Sequence, residues 1–175
     1  KTNDNLTPVD IVKFAAAYGS WILQQSSNPK IIIGRDGRIS GQMVSNLVVN
    51  TLLGLGLDVI DLGPSTTPTV EMAVQFEKAA GGIILTASHN PKEWNALKLL
   101  NHKGEFISGD EGKLILVAAE KEDFKFAPVD KLGTYTKDES LLQKHIAAVV
   151  GYELVDAASI KKKNFKIVID AINST

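Results

Sequence analysis

Residues 81–100 decide the fold of this chain; they read GGIILTASHNPKEWNALKLL. The first apolar run is typical of a buried strand, and it breaks abruptly into the polar segment Thr86-Ala87-Ser88-His89-Asn90-Pro91. The chain then returns to a second apolar run, which carries Lys98. Because the link between the runs is too short for a parallel crossover, we expect the second strand to be antiparallel to the first.

Strand-like and helical segments alternate upstream of this stretch. Short β-branched runs at residues 30–36 and 57–63 predict two further buried strands. Helices are predicted from a Thr-Pro start at Thr7-Pro8, over residues 40–56, and from a second Thr-Pro start at Thr67-Pro68. This alternation implies right-handed crossovers and an α/β fold with a mixed, mostly parallel sheet.

The downstream third of the chain follows a different pattern. A helix with acidic residues in its first turn is predicted over residues 109–123, and a capped amphipathic helix over residues 137–154. Residues 124–136 show no clear element, and residues 164–175 read as a new strand. A strand needs a partner, so we expect the chain to be a piece of a longer protein.

Composition excludes several classes of function. The chain has 175 residues, a formal net charge of -1 and no cysteine. The charge gives no field that would attract nucleic acid or an anionic membrane, and the lack of cysteine excludes disulfides, thiolate metal sites and thiol nucleophiles. No apolar run reaches the roughly 20 residues that span a bilayer, and the beginning of the chain shows no signal-peptide pattern. We therefore expect a cytoplasmic protein.

Three polar loops follow the predicted parallel strands: GRDGRISG at residues 34–41, GPSTTPT at 63–69 and TASHNPKEWN at 86–95. Ligands of open α/β sheets bind outside the carboxyl ends of the strands, so the three loops are expected to converge on one site. Arg35 and Arg38 suit phosphate or carboxylate groups, and the glycines let backbone amides approach an anion. The alternative is a structural ion pair between Asp36 and Arg35. The loop is not a P-loop, since the Gly-Lys-Ser/Thr ending is missing.

Ser88, in the loop of residues 86–95, is the residue best suited to take part in a reaction. Serine is a weak nucleophile unless it is activated, and the neighbouring His89 cannot be assumed to be its base. No Gly-x-Ser-x-Gly elbow surrounds it. Phosphoryl transfer needs positive charge more than covalent help, and Lys98, His89 and the arginines could supply that charge. Pro91 stiffens the loop. The alternative is an ordinary cap or turn serine.

At TASHNPKEWNALK the chain resembles the active-site loop of the α-D-phosphohexomutase superfamily, the phosphoglucomutases, phosphomannomutases and phosphoglucosamine mutases. The match departs from the family pattern at Ala96, where glycine is usual. GRDGRISG and GPSTTPT resemble two further family segments in the same order. The resemblance implies a three-layer α/β/α sandwich of the first-domain type. It also implies that residues 1–133 form this domain and that residues 134–175 form a linker helix and the first strand of a truncated second domain.

The resemblance further implies roles for individual residues. Ser88 would be the phosphoserine that donates its phosphoryl group to a hexose phosphate and regains one from the resulting bisphosphate, moving phosphate between the 1- and 6-positions. His89 would position the phosphoserine, and Lys98 would be a cationic, acid/base group. Arg38, Asn90 and Asn95 would bind substrate or phosphate. Mg²⁺ is the implied metal, held at Ser88 through its phosphate.

The family's metal loop, sugar-selecting loop and second phosphate-binding loop are not found in this sequence. The resemblance therefore implies that C-terminal domains would complete the site, and we expect the chain by itself to be inactive as a mutase. Two alternatives stay open. One is a non-catalytic phosphate-binding or interaction domain that keeps the fold, and the other is a serine hydrolase.

Overall fold

The computed structural model describes residues 6–171 and 174. The helices of this part are α1 (Pro8–Gln25), α2 (Gly41–Gly54), α3 (Thr67–Phe76), α4 (Gly109–Lys121), α5 (Ser140–Val150), α6 (Ala157–Lys163) and a 3-10 turn (Val129–Lys131). The strands are β1 (Lys30–Arg35), β2 (Asp58–Pro64), β3 (Gly81–Leu85), β4 (Leu97–Leu100) and β5 (Tyr135–Lys137). None of the described helices combines the length and the apolar character that crossing a membrane requires.

The strands form one mixed sheet in the order β4-β3-β1-β2-β5. β1 lies parallel to both β2 and β3, and β5 lies parallel to β2. β4 is antiparallel to β3, with Gly82 opposite Leu100 and Leu85 opposite Leu97. The predicted mostly parallel sheet with an antiparallel fourth strand is therefore confirmed.

Helices cover both faces of the sheet. Side chains alternate along a strand, so Ile31 and Ile33 of β1 join one apolar core and Ile32 joins the other. The first core contains residues of α1, α2 and α4, and the second contains residues of α3 together with Leu141 of α5. This arrangement is the predicted three-layer α/β/α sandwich.

Two Thr-Pro sequences start helices, although one starts a residue earlier than predicted. Thr7 caps α1 in a capping box with Asp10, as the sequence indicates. At α3 the N-cap is Thr66, whose hydroxyl accepts a hydrogen bond from the Thr69 amide, and Thr67 is already helical. Pro68 is tolerated at this second helical position because first-turn amides have no partner within the helix.

The segment that follows residue 133 packs against the elements that precede it. β5 adds a fifth strand to the sheet through its pairing with β2, and α5 packs against α3. Leu141 of α5 is 2% exposed within the second core. β5 and α5 are therefore joined to the sheet and to α3, and the division of the chain into residues 1–133 and 134–175 stays a prediction.

The strand predicted over residues 164–175 is wrong for the described residues of that segment, which contain no strand. Its apolar side chains Ile167, Val168 and Ile169 are exposed. An isolated strand gains neither ladder hydrogen bonds nor a covered face, so the apolar pattern has nothing to stabilise it here. The basic run Lys161–Lys163 forms the last turn of α6, where cations suit the helix dipole.

Candidate functional site

The polar loops after β1, β2 and β3 meet at the carboxyl ends of these strands. They line a cavity of about 250 Å³, to which Asp36 contributes from the first loop, Ser65–Thr67 from the second, and Thr86 and Ser88 from the third. These strands are adjacent and parallel, so their carboxyl ends lie side by side. The predicted convergence of the three loops is confirmed.

Ser88 is exposed at the head of its loop and has an unusual backbone conformation. Its φ is +53°, in the left-handed region that non-glycine residues seldom adopt. Its amide donates to Thr86 Oγ1 at 3.1 Å. Just after it the loop turns back, with the backbone amide and the side-chain amide of Asn90 both donating to the Ala87 carbonyl. The loop thus presents the Ser88 side chain on a turn closed by its own hydrogen bonds.

Lys98 is the cation that contacts the Ser88 hydroxyl. Its Nζ donates to Ser88 Oγ at 2.9 Å and lies 5.8 Å from the centre of the Phe106 ring. Lys98 is on β4, opposite Ile84 of β3, so the antiparallel return of the chain brings it beside the loop. Burial raises the pKa of the nearby Glu71 carboxyl, and the positive charge of Lys98 opposes that rise.

Arg38 reaches across from the first loop and binds the backbone of the Ser88 loop. Its Nη atoms donate to four carbonyl oxygens, Nη2 to Ser88 (2.7 Å) and Asn90 (2.8 Å), and Nη1 to Pro91 (2.7 Å) and Trp94 (2.9 Å). Its Nε donates to Asp36 Oδ2 at 3.0 Å. A guanidinium has five N–H donors, so this set of acceptors engages the whole group.

The Asp36 carboxylate connects the first loop to the third through hydrogen bonds. Its Oδ2 accepts from Arg38 Nε and, at 2.7 Å, from Thr86 Oγ1, while its Oδ1 accepts from the Arg38 amide at 3.1 Å. The ion pair in this loop is therefore Asp36 with Arg38. The alternative pairing with Arg35 is wrong, because the Arg35 guanidinium donates to the Asp36 carbonyl and to Gln42.

The other predicted site residues differ in what surrounds them. His89 is exposed, and its ring makes no hydrogen bond to the described residues. Asn95 is buried: its Nδ2 donates to Ser40 Oγ at 3.1 Å, and its Oδ1 accepts from the Ala96 amide. Phosphate binding by Arg38, Asn90 and Asn95 stays a prediction, and in this structure the three side chains hold the loop together.

A model of the phosphoglucomutase/phosphomannomutase alpha/beta/alpha domain I matches residues 1–126. The chain belongs to the phosphoglucomutase/phosphomannomutase family. A phosphoglucomutase/phosphomannomutase of Thermococcus kodakarensis is 33% identical over 172 residues, covering 98% of this chain and 37% of the relative. A phosphoglucosamine/phosphogalactosamine mutase of Sulfurisphaera tokodaii is 34% identical over 173 residues, covering 98% of this chain and 37% of the relative. The chain thus spans little more than a third of these relatives.

A solved structure of the same family shares the fold. The phosphoglucomutase/phosphomannomutase family protein of Burkholderia thailandensis superposes with a TM-score of 0.73 at 24% identity, covering 85% of this chain and 32% of that one. At this identity the likeness establishes the fold alone.

Three site residues of this family member were not found by sequence reasoning. The sequence places Thr86 and Ser65 in polar loops without assigning them a role, and the ion pair that it offers for Asp36 is with Arg35 instead of Arg38. Ser65 is 6% exposed, and its hydroxyl has no hydrogen-bond partner among the described residues. The only available signal was position, since all three directly follow strands of a parallel sheet.

The implied Mg²⁺ can be tested against the donor groups of the site. The described residues contain no cluster of three or more His, Asp or Glu side chains that could hold a metal ion. Asp36 already accepts hydrogen bonds at both of its carboxylate oxygens. The described residues therefore fit Mg²⁺ only through a phosphate on Ser88, whose oxygens are of the kind that the ion prefers.

Proposed function

We propose that Ser88 is the phosphoryl carrier of a hexose phosphate mutase, and that this chain supplies the carrier domain. The observation that carries the proposal is the contact of 2.9 Å between Lys98 Nζ and the exposed Ser88 Oγ. A phosphoserine carries a charge of roughly -1.5 to -2 at neutral pH and needs a cation beside it. Membership of a family whose curated relatives are mutases of hexose and hexosamine phosphates supports the reaction class.

In the proposed reaction the phosphoryl group of phospho-Ser88 passes to a hydroxyl of a hexose phosphate. The bond between phosphorus and Ser88 Oγ breaks, and a bond between phosphorus and the sugar oxygen forms. The sugar hydroxyl releases its proton to water, and the Lys98 ammonium protonates Ser88 Oγ, so the enzyme ends with a neutral serine and the product is a hexose bisphosphate. The reverse sequence, with the other phosphate of the bisphosphate, restores phospho-Ser88 and leaves the isomeric monophosphate.

The other residues have supporting roles in this proposal. His89, exposed next to Ser88, would help to position the phosphoserine. Bound Mg²⁺ would withdraw charge from the phosphoryl oxygens. Groups beyond the described residues would complete the metal and sugar sites, and for that reason we expect the chain alone to have no mutase turnover. Cytoplasmic location stays a prediction.

Intact-mass spectrometry tests the role of Ser88. The full gene product is measured before and after incubation with a hexose 1,6-bisphosphate, as the wild type, as S88A and as the control S27A. Ser27 is an exposed serine in the loop before β1, at the end of this strand that is opposite to the site. We expect one added phosphoryl group in the wild type and in S27A and none in S88A. Equal labelling of S88A would refute the proposal, and a wild type that stays unlabelled in the full gene product would favour the non-catalytic alternative.

A further inference from the structure

One hydrogen-bond network holds Ser88 at both of its backbone polar groups. The Ser88 amide donates to Thr86 Oγ1 at 3.1 Å, and the Ser88 carbonyl accepts from Arg38 Nη2 at 2.7 Å. Thr86 and Arg38 in turn both donate to one atom, Asp36 Oδ2, at 2.7 and 3.0 Å. A single carboxylate in the first loop therefore fixes the peptide groups on each side of the serine.

This network acts on a residue whose conformation is costly. A non-glycine residue in the left-handed region is disfavoured by about 1–2 kcal/mol and persists only where its surroundings determine it. Ser88 is exposed, so packing of its side chain does not impose the φ of +53°. The contacts to its amide and carbonyl act on this residue directly, and the hydrogen bonds from Asn90 to the Ala87 carbonyl close the turn around it.

The Arg38 side chain has the burial and geometry of a structural clamp. Its side chain is 10% exposed, and that of its partner Asp36 is 14% exposed. The four loop carbonyls that it binds belong to residues 88, 90, 91 and 94, so one planar group spans the whole turn. No N–H donor is left for a substrate phosphate unless the loop gives up one of these contacts.

We propose that Arg38, oriented by Asp36, is a positioning residue that holds Ser88 in its left-handed conformation and so directs Ser88 Oγ toward Lys98. The proposal rests on the proposed function of Ser88, because it assigns Arg38 to the serine instead of to the sugar phosphate. It also distinguishes arginine from lysine. A lysine ammonium keeps the charge, but it cannot donate in one plane to four carbonyls and a carboxylate.

NMR spectroscopy of the chain tests the conformational claim without any activity. A strong intraresidue contact between the amide and α protons marks a positive φ, and we expect it for Ser88 in the wild type. It should be lost in R38K and in D36N. T86V, which removes the acceptor of the Ser88 amide, should speed exchange of that amide by about tenfold, the equivalent of roughly one hydrogen bond. T86S, which keeps a hydroxyl, should restore the protection.

Kinetics of the full gene product test the functional consequence. A displaced catalytic group costs on the order of a hundredfold in rate. We expect R38K to lower kcat by about that factor with KM little changed, and guanidinium ion to restore part of the rate of R38A. If Arg38 instead binds the substrate phosphate, R38K will raise KM while Ser88 keeps its positive φ, and the proposal fails.

Control measurements separate positioning from global damage and from failure of the proposed function. K113A removes a positive charge from an exposed pair on α4 and should change neither the Ser88 signals nor kcat. Thermal melting of each variant confirms folding, and R38K serves where R38A does not fold. If the wild-type full gene product has no mutase activity, the proposed function is wrong. The NMR result on the chain still tests whether Arg38 and Asp36 hold Ser88 in its left-handed conformation. A positive φ at Ser88 that is unchanged in folded R38K and D36N would overturn the positioning role of Arg38.

Discussion

Tyr18 offers a direct test of how helix α1 is attached to strands β3 and β4, which lie beside the site. It lies on α1, is 0% exposed, and its hydroxyl donates to the Leu100 carbonyl at 2.7 Å and to the Gly82 carbonyl at 3.1 Å. Gly82 and Leu100 are opposite each other in the antiparallel pair of β3 and β4. One buried hydroxyl therefore ties a helix to the two strands that carry Ser88 and Lys98 at their far ends.

The variant Y18F removes the hydroxyl and leaves the ring in place. The lost hydrogen bond is worth about 1 kcal/mol, and the two carbonyls face each other's strand in the β3–β4 pair. We therefore expect the free energy of unfolding to fall by about 1 kcal/mol. For a domain of this size that corresponds to a Tm lower by roughly 2–4 °C.

Urea unfolding followed by circular dichroism measures the change, with Y152F as the matched control. Tyr152 is 56% exposed, and the same substitution there should stay within about 0.5 kcal/mol of the wild type. The reasoning is refuted if Y18F unfolds at the same urea concentration as the wild type with an equal slope. It is also refuted if Y152F costs as much as Y18F.

Three further outcomes follow from the same structure. S65A should raise the free energy of unfolding by about 0.5–1 kcal/mol, because it removes a buried hydroxyl that has no partner among the described residues, and a destabilised S65A would contradict this. Burial raises the pKa of Tyr18 above its unfolded value of about 10, so wild-type stability should be full below pH 10 and fall above it, whereas Y18F should lose less over that range in alkaline unfolding curves. K98M should slow labelling of Ser88 by a hexose bisphosphate at least tenfold at unchanged Tm, and equal labelling rates would exclude a role for the Lys98 charge.

The elements with strong apolar patterns were predictable from the sequence. Residues 31–33 are three consecutive isoleucines that face alternate cores, and this continuous apolar run is what a strand covered on both faces requires. β5 carried no such signal, because Tyr135, Thr136 and Lys137 are all exposed at the sheet edge. Its pairing with β2 depends on the fold, and the sequence pattern of the segment could not show it.

The site was predictable in its location and less so in its internal contacts. The rule that ligands bind at the carboxyl ends of parallel strands placed the three loops together and singled out Ser88. The partner of Asp36 could not be obtained this way, since Arg35 and Arg38 are both close to it in sequence. What separates the two arginines is the approach of a loop about 50 residues further along the chain, whose carbonyls bind only Arg38.

The charges around Ser88 lead to one more prediction, on Mg²⁺. Arg38 is neutralised by Asp36, and among the described residues Lys98 is the cation within hydrogen-bond distance of Ser88 Oγ. A phosphate of charge roughly -1.5 to -2 would leave the site net negative, so phosphorylation should create affinity for a divalent cation. One pair of unit charges about 4 Å apart is worth about 1 kcal/mol in bulk water and more near a protein surface. We expect isothermal titration calorimetry to show Mg²⁺ binding at least about tenfold tighter to the phosphorylated chain than to S88A. Equal affinities would mean that the phosphate does not contribute a metal ligand.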